Sequence, residues 1–134
     1  MSLRDILYLK EENFIANVIK TDGVEQIYSI KSELNQIAKK HFINISEYRK
    51  LVRKKIDLKN KIPIYFSNQL LLFNVKSNET VYWINYFNIL KICKKDKIII
   101  IFKNGTLLEL EISKNNMVKE LRKTKKVLDY IANL

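Results

Sequence analysis

With 134 residues, the chain has room for one domain with a real hydrophobic core but not for two independently stable ones. A single cysteine, Cys93, excludes an internal disulfide, and a single histidine, His41, leaves no clustered ligand set for zinc, so metal chemistry is a poor reading of this composition. The formal net charge of +11 is concentrated: residues 39–61 hold nine basic groups against Glu47 and Asp57, residues 114–126 hold six against Glu120, and residues 1–38 hold four basic against six acidic groups.

A localised positive field of this kind attracts polyanions, whereas a diffuse one mainly aids solubility. Arg4, Asp5, Lys10, Glu11 and Glu12 punctuate the amino terminus, and nowhere do about 18 apolar residues run together, so a soluble cytoplasmic chain is expected. Residues 14–30 read as a hairpin. Ile15, Asn17 and Ile19 alternate with Ala16 and Val18, Asp22-Gly23 supplies the turn, and Gln26, Tyr28 and Ile30 resume the period of two.

Ser32 is placed to cap a short helix with Leu34, Ile37, Ala38 and His41 on its apolar face, and Ser46 to cap a second with Tyr48, Leu51, Val52 and Ile56 inward. The second helix sets Arg49 with Arg53, and Lys50 with Lys54, at i,i+4 spacing on its other side, with Lys55 beyond. Like charges at that spacing repel slightly, a penalty that a bound anion would remove.

Pro63 closes the helical region, because it lacks a donor and biases Ile62 toward extended geometry. Strands are then expected over 64–66, 70–75, 81–84 and 89–93, with a turn at 67–69 and a polar loop at 76–80. Asn104-Gly105 reads as a two-residue hairpin turn. It would pair Ile101 with Leu108 and Ile99 with Leu110 on a core face, and Ile100 with Glu109 and Ile98 with Glu111 on a half-apolar one.

After Ser113 the apolar period lengthens to three or four through Met117, Val118, Leu121, Val127, Leu128, Ile131 and Leu134, the signature of a long terminal helix. Lys119, Arg122, Lys123 and Lys126 lie on its other face. The fold class expected is α+β: a predominantly antiparallel sheet with short inserted helices and a long C-terminal amphipathic helix, in a pleckstrin-homology-like arrangement.

Catalysis needs a nucleophile or base beside an orienting partner. Neither His41 nor Cys93 has one in sequence, and the adjacent carboxylates Glu11 and Glu12, or Glu109 and Glu111, do not by themselves specify acid and base roles. No glycine-rich phosphate loop precedes a helix. The expectation is a non-enzyme with no cofactor and no small-molecule substrate.

The run from Val81 through Tyr82, Trp83, Ile84, Asn85, Tyr86, Phe87 and Asn88 to Ile89, followed by Ile99, Ile101, Phe102, Lys103, Asn104, Gly105 and Ser113, resembles the carboxyl-terminal core of the ComK-type competence transcription regulators. Pro63-Ile64 matches a Pro-Ile pair of that pattern, and Phe73 and Ser77 match part of a Phe-Pro-Thr element with a nearby serine. The resemblance covers about residues 62–130. It implies binding of double-stranded DNA at paired AT-rich boxes, largely through the minor groove, as a dimer or higher multimer, and, as in the longer members, control of abundance by a proteolysis adaptor.

The pattern also departs from the family. Asn74 and Val75 stand where it has Pro and Thr, and its Gly-Ser-Ser…Gly-Arg segment is represented by residues 43–49 without either glycine, Arg49 alone holding the final position. A divergent or short member is therefore expected.

Among single residues, Trp83 in an apolar strand run is read as core before it is read as a base-stacking platform. Asn85 and Tyr86 are candidates for a strand-end surface. Arg49 and Arg53 carry guanidinium forks suited to phosphates and to a narrow AT-tract groove, with Lys50, Lys54 and Lys55 as phosphate contacts. Lys119, Arg122, Lys123 and Lys126 make a second candidate tract. The competing expectation is a non-catalytic pleckstrin-homology-like module whose lysines meet an anionic membrane surface or a partner protein.

Overall fold

In the computed structural model, which describes residues 2–134, nine strands form two antiparallel sheets and three α-helices pack against them. The chain opens with a three-strand meander, β1 (Ile6–Glu12), β2 (Ile15–Lys20) and β3 (Gly23–Ile27). Two helices follow, α1 (Ile30–Lys40) and α2 (Ile45–Lys55). A second meander, β4 (Ile64–Ser67), β5 (Leu70–Ser77) and β6 (Thr80–Asn85), returns so that β6 pairs with β1, giving the order β3-β2-β1-β6-β5-β4. The smaller sheet holds β7 (Ile89–Lys94), β8 (Ile98–Phe102) and β9 (Leu107–Leu110), and α3 (Lys114–Ala132) ends the chain.

The larger sheet is the middle layer. Its inner strands are covered on both faces, which is why residues 6–9 and 70–73 are unbroken apolar runs rather than alternating ones. Ile6, Leu9, Val18 and Trp83 meet Leu34 and Ile37 of α1 on one face. Leu7, Phe73 and Ile84 meet Ile100 and Phe102 of the small sheet and Met117 of α3 on the other. Val52 of α2 reaches Leu71 and Val127 of α3 in a third cluster, so the two basic helices share a core. The α+β architecture, antiparallel throughout with short inserted helices and a long terminal helix, is as expected.

Local chemistry moves several boundaries. The N-cap of α1 is Ser29, whose hydroxyl accepts from the Ser32 N–H at 3.0 Å, and that of α2 is Asn44, whose Oδ1 accepts from the Glu47 N–H at 3.0 Å. Ser32 and Ser46 therefore lie inside their helices, and Ile30 begins α1 instead of extending the hairpin. Glu11 reinforces that helix start by accepting the Ile30 N–H at 2.9 Å. Strand β5 runs on to Ser77 and reverses through Asn78-Glu79, so the expected polar loop is a tight turn. His41, Leu51 and Leu134 are exposed and belong to no core face.

The largest correction concerns the last hairpin. The Phe102 N–H donates to the Thr106 carbonyl and the Gly105 N–H to the Phe102 carbonyl, closing a three-residue loop of Lys103, Asn104 and Gly105. Gly105 takes the positive φ of 91° that such a loop needs at its third position. One extra loop residue moves the register by one, and a one-residue slip exchanges the two faces of a strand. Ile100 pairs with Leu108 and Ile98 with Leu110, and these, not Ile99 and Ile101, are buried.

Candidate nucleic-acid interface

Helix α2 is held by its tyrosine. Tyr48 donates its hydroxyl to the Pro63 carbonyl at 2.6 Å and accepts the Tyr65 N–H at 3.2 Å, lashing the helix to the start of β4. Burial raises the Tyr48 phenol to about 12, against a smaller lowering by the Tyr65 N–H. With Tyr48 and Val52 turned inward, Lys50, Arg53, Lys54 and Lys55 are exposed. Among the described residues, Lys50 alone of this set has a carboxylate in reach, Glu47 at 3.4 Å.

Arg49 is placed differently from Arg53. It is half-buried and lines a cavity of about 340 Å³ with Ile45, Glu11, Val81 and Trp83. Trp83 is core, packed among Leu9, Val18 and Leu34, as its apolar surroundings in sequence suggested.

Helix α3 presents two basic flanks. Its buried line is Met117, Glu120, Thr124 and Val127. On one flank, Lys119 and Lys123 face Lys61 and Lys76 across a cavity of about 270 Å³. Lys123 is already engaged there, donating to the Asn60 carbonyl at 2.9 Å and pairing with Glu120 at 3.2 Å. On the other flank, Arg122 and Lys125 face Lys91, Lys94 and Lys103 across a groove of about 840 Å³ between α3 and β7. Lys126 is exposed. The structure thus gathers the α3 residues around two grooves and sets Arg49 in a third cavity.

Two strand-end candidates resolve in opposite ways. Asn85 is fully buried and belongs to the framework: its amide donates to the Ile6 carbonyl at 2.9 Å and the Gln69 carbonyl at 3.0 Å, and its Oδ1 accepts from Leu71 N–H at 3.2 Å and Phe87 N–H at 3.3 Å. Its expected surface role is withdrawn, because no polar atom of it reaches solvent. Tyr86 is half-buried, edge-on to Phe73 and Phe87, and lines the β7–α3 groove.

Lys91, Lys94, Lys103 and Lys125 were not among the sequence candidates. Their signal was weak because the first three are spaced along a strand and a hairpin loop, and only the packing of β7 beside α3 brings them to Arg122 and Lys125.

Among the described residues there is no group of three or more His, Cys, Asp or Glu able to hold a metal ion, and no helix is long and apolar enough to cross a membrane. Fold and site together define an α+β protein whose positive charge is gathered on two helices and a strand with few internal partners. Comparison with protein families matches the model of the ComK protein family to residues 6–133, and the chain belongs to that family. The match reaches well beyond residues 62–130 and takes in the first meander and both inserted helices. The family is one of non-catalytic transcription factors. No curated protein and no solved structure matched the chain.

Proposed function

We propose that this protein is a DNA-binding transcription regulator that prefers AT-rich duplexes, combining phosphate contacts with arginine insertion into the minor groove. The observation that carries this reading is α2: Arg53, Lys54 and Lys55 are exposed in one turn, with no carboxylate within ion-pair reach among the described residues. Phosphates would relieve the i,i+4 repulsion of Lys50 with Lys54 and of Arg49 with Arg53. Lys50, Lys54 and Lys55 fix position, and Arg53, with Arg49 at its edge, reads the narrow groove. Lys119 and Lys126 of α3 extend the phosphate track, whereas Lys123 serves mainly to neutralise Glu120 and Arg122 turns into the β7–α3 groove. Binding as a dimer or higher multimer on paired sites completes the reading, and a proteolysis adaptor is its proposed regulatory partner.

Titration of AT-rich and GC-rich duplexes at several ionic strengths tests it. Tighter binding to the AT-rich duplex and a steep loss with salt are expected, and R53K should lower the AT preference while keeping most of the affinity on GC-rich DNA. Equal affinity for the two duplexes removes the minor-groove component. Absence of salt-sensitive binding removes the nucleic-acid reading.

A further inference from the structure

The groove between β7 and α3 has a composition that a duplex does not explain. Its floor is apolar, formed by Phe87, Ile92, Val118 and Leu121, with Leu90 at its margin. Leu90 is 66% exposed for a structural reason: the register of β7 against β8 shifts between Ile89 and Lys91, so Leu90 is the extra residue of a β-bulge. Bulges of this kind re-aim a side chain out of the sheet. Strand β7 is also the edge of its sheet, so none of the other strands covers this side.

Around that floor stand Lys91, Lys94, Lys103, Arg122 and Lys125, and among the described residues no carboxylate lines the groove. An apolar floor under a cationic rim is complementary to a helix with an apolar stripe and acidic flanks. The volume, about 840 Å³, suits about two turns of such a helix, whose diameter with side chains is about 10 Å. Duplex DNA presents a phosphate surface that would satisfy the rim and leave Leu90, Ile92, Val118 and Leu121 facing polar groups.

We propose that the β7–α3 groove is a docking site for an acidic amphipathic helix of a partner protein. Leu90 and the floor residues take its apolar stripe, and the five cations pair with its Glu or Asp flanks and set its direction.

The probe is a fluorescently labelled synthetic peptide of about four helical turns, with leucines at i, i+3, i+4 and i+7 and glutamates on both flanks. Two controls accompany it, one of scrambled order with the same composition and one with lysine in place of glutamate. Anisotropy titrations on the full chain should show binding of the first peptide only. Both L90S and K125E should weaken it about tenfold. Leu90 and Lys125 are exposed, so neither change removes core packing, and circular dichroism confirms each fold. An AT-rich duplex at saturating concentration should leave the peptide bound.

Equal binding of the scrambled peptide, or full binding to L90S, overturns the proposal by reducing the groove to a diffuse charge. Displacement of the peptide by the duplex, together with weakened DNA binding by L90S, overturns it in favour of a nucleic-acid groove. The DNA reading fails separately, through the duplex titration alone.

Discussion

Asn85 shows how a residue in a family-like run can serve the framework rather than a ligand. It ends β6 and caps the turn of Tyr86–Asn88, and its four hydrogen bonds tie the first strand, the β4–β5 turn, β5 and that turn together. Asparagine suits the position because one short side chain supplies two donors and an acceptor with two lone pairs. Asn85→Ala should lower unfolding free energy by about 2–4 kcal/mol, since it removes the side-chain partner of the buried Leu71 N–H and of the partly buried Gln69 carbonyl and Phe87 N–H, while the Ile6 carbonyl keeps Asn88. Urea unfolding measures this loss. Duplex affinity per folded molecule should stay unchanged, and a selective loss of DNA binding with normal stability would return Asn85 to the interface.

At the scale of elements, most strands and helices were legible because burial imposes a period, two in the hairpins and three to four in α3; β1 was missed because Ile6–Leu9 are covered on both faces and show no alternation. Caps and hairpin loop length were less so. Several serines and asparagines near a helix start are chemically able to cap, and only the backbone decides that Ser29 and Asn44 do so. Likewise, Asn104-Gly105 fits both a two-residue and a three-residue loop, and the choice inverts which isoleucines of β8 are buried. The anchorage of α2 was missed for the same reason, since Tyr48 meets Pro63 and Tyr65 only after the chain returns as β4.

That anchorage carries a pH signature. Tyr48 loses its proton near 10.0 when unfolded and at about 12 when folded, because burial disfavours the phenolate. Between these values the unfolded state binds fewer protons than the folded one, so stability is full below pH 10 and falls as pH rises toward 12. Tyr8 and Tyr82, also raised chiefly by burial, add to the same slope. Tyr48→Phe should cost about 1–3 kcal/mol at neutral pH through the lost bonds to Pro63 and Tyr65. It should also flatten part of the alkaline decline. Thermal midpoints of both proteins across pH 9–12 check the point, and an unaltered slope in the variant would place the titration at the other tyrosines.

For the whole molecule, the distribution of charge was visible in sequence as a sum per segment, but not as surfaces. Folding splits basic residues of α3 between two grooves, brings Lys91, Lys94 and Lys103 alongside one of them, and half-buries Arg49 while leaving Arg53 exposed. Net charge alone therefore does not locate a polyanion, whereas salt dependence does. The slope of log affinity against log salt counts phosphates neutralised at the contact, at about 0.9 per phosphate on a duplex. Two variants with the same net charge separate a surface from a field. R53Q/K54Q removes two exposed charges from α2, and R4Q/K95Q removes two exposed charges from the opening turn and the β7–β8 loop. If α2 lies on the phosphates, the first should reduce the slope by about 2 and weaken binding to both duplexes, more strongly to the AT-rich one that Arg53 reads, while the second leaves the slope within a few tenths. Fluorescence titrations over a series of salt concentrations provide both slopes. An equal reduction in the two variants would mean that DNA responds to the overall field of the molecule, and that α2 has no privileged contact with it.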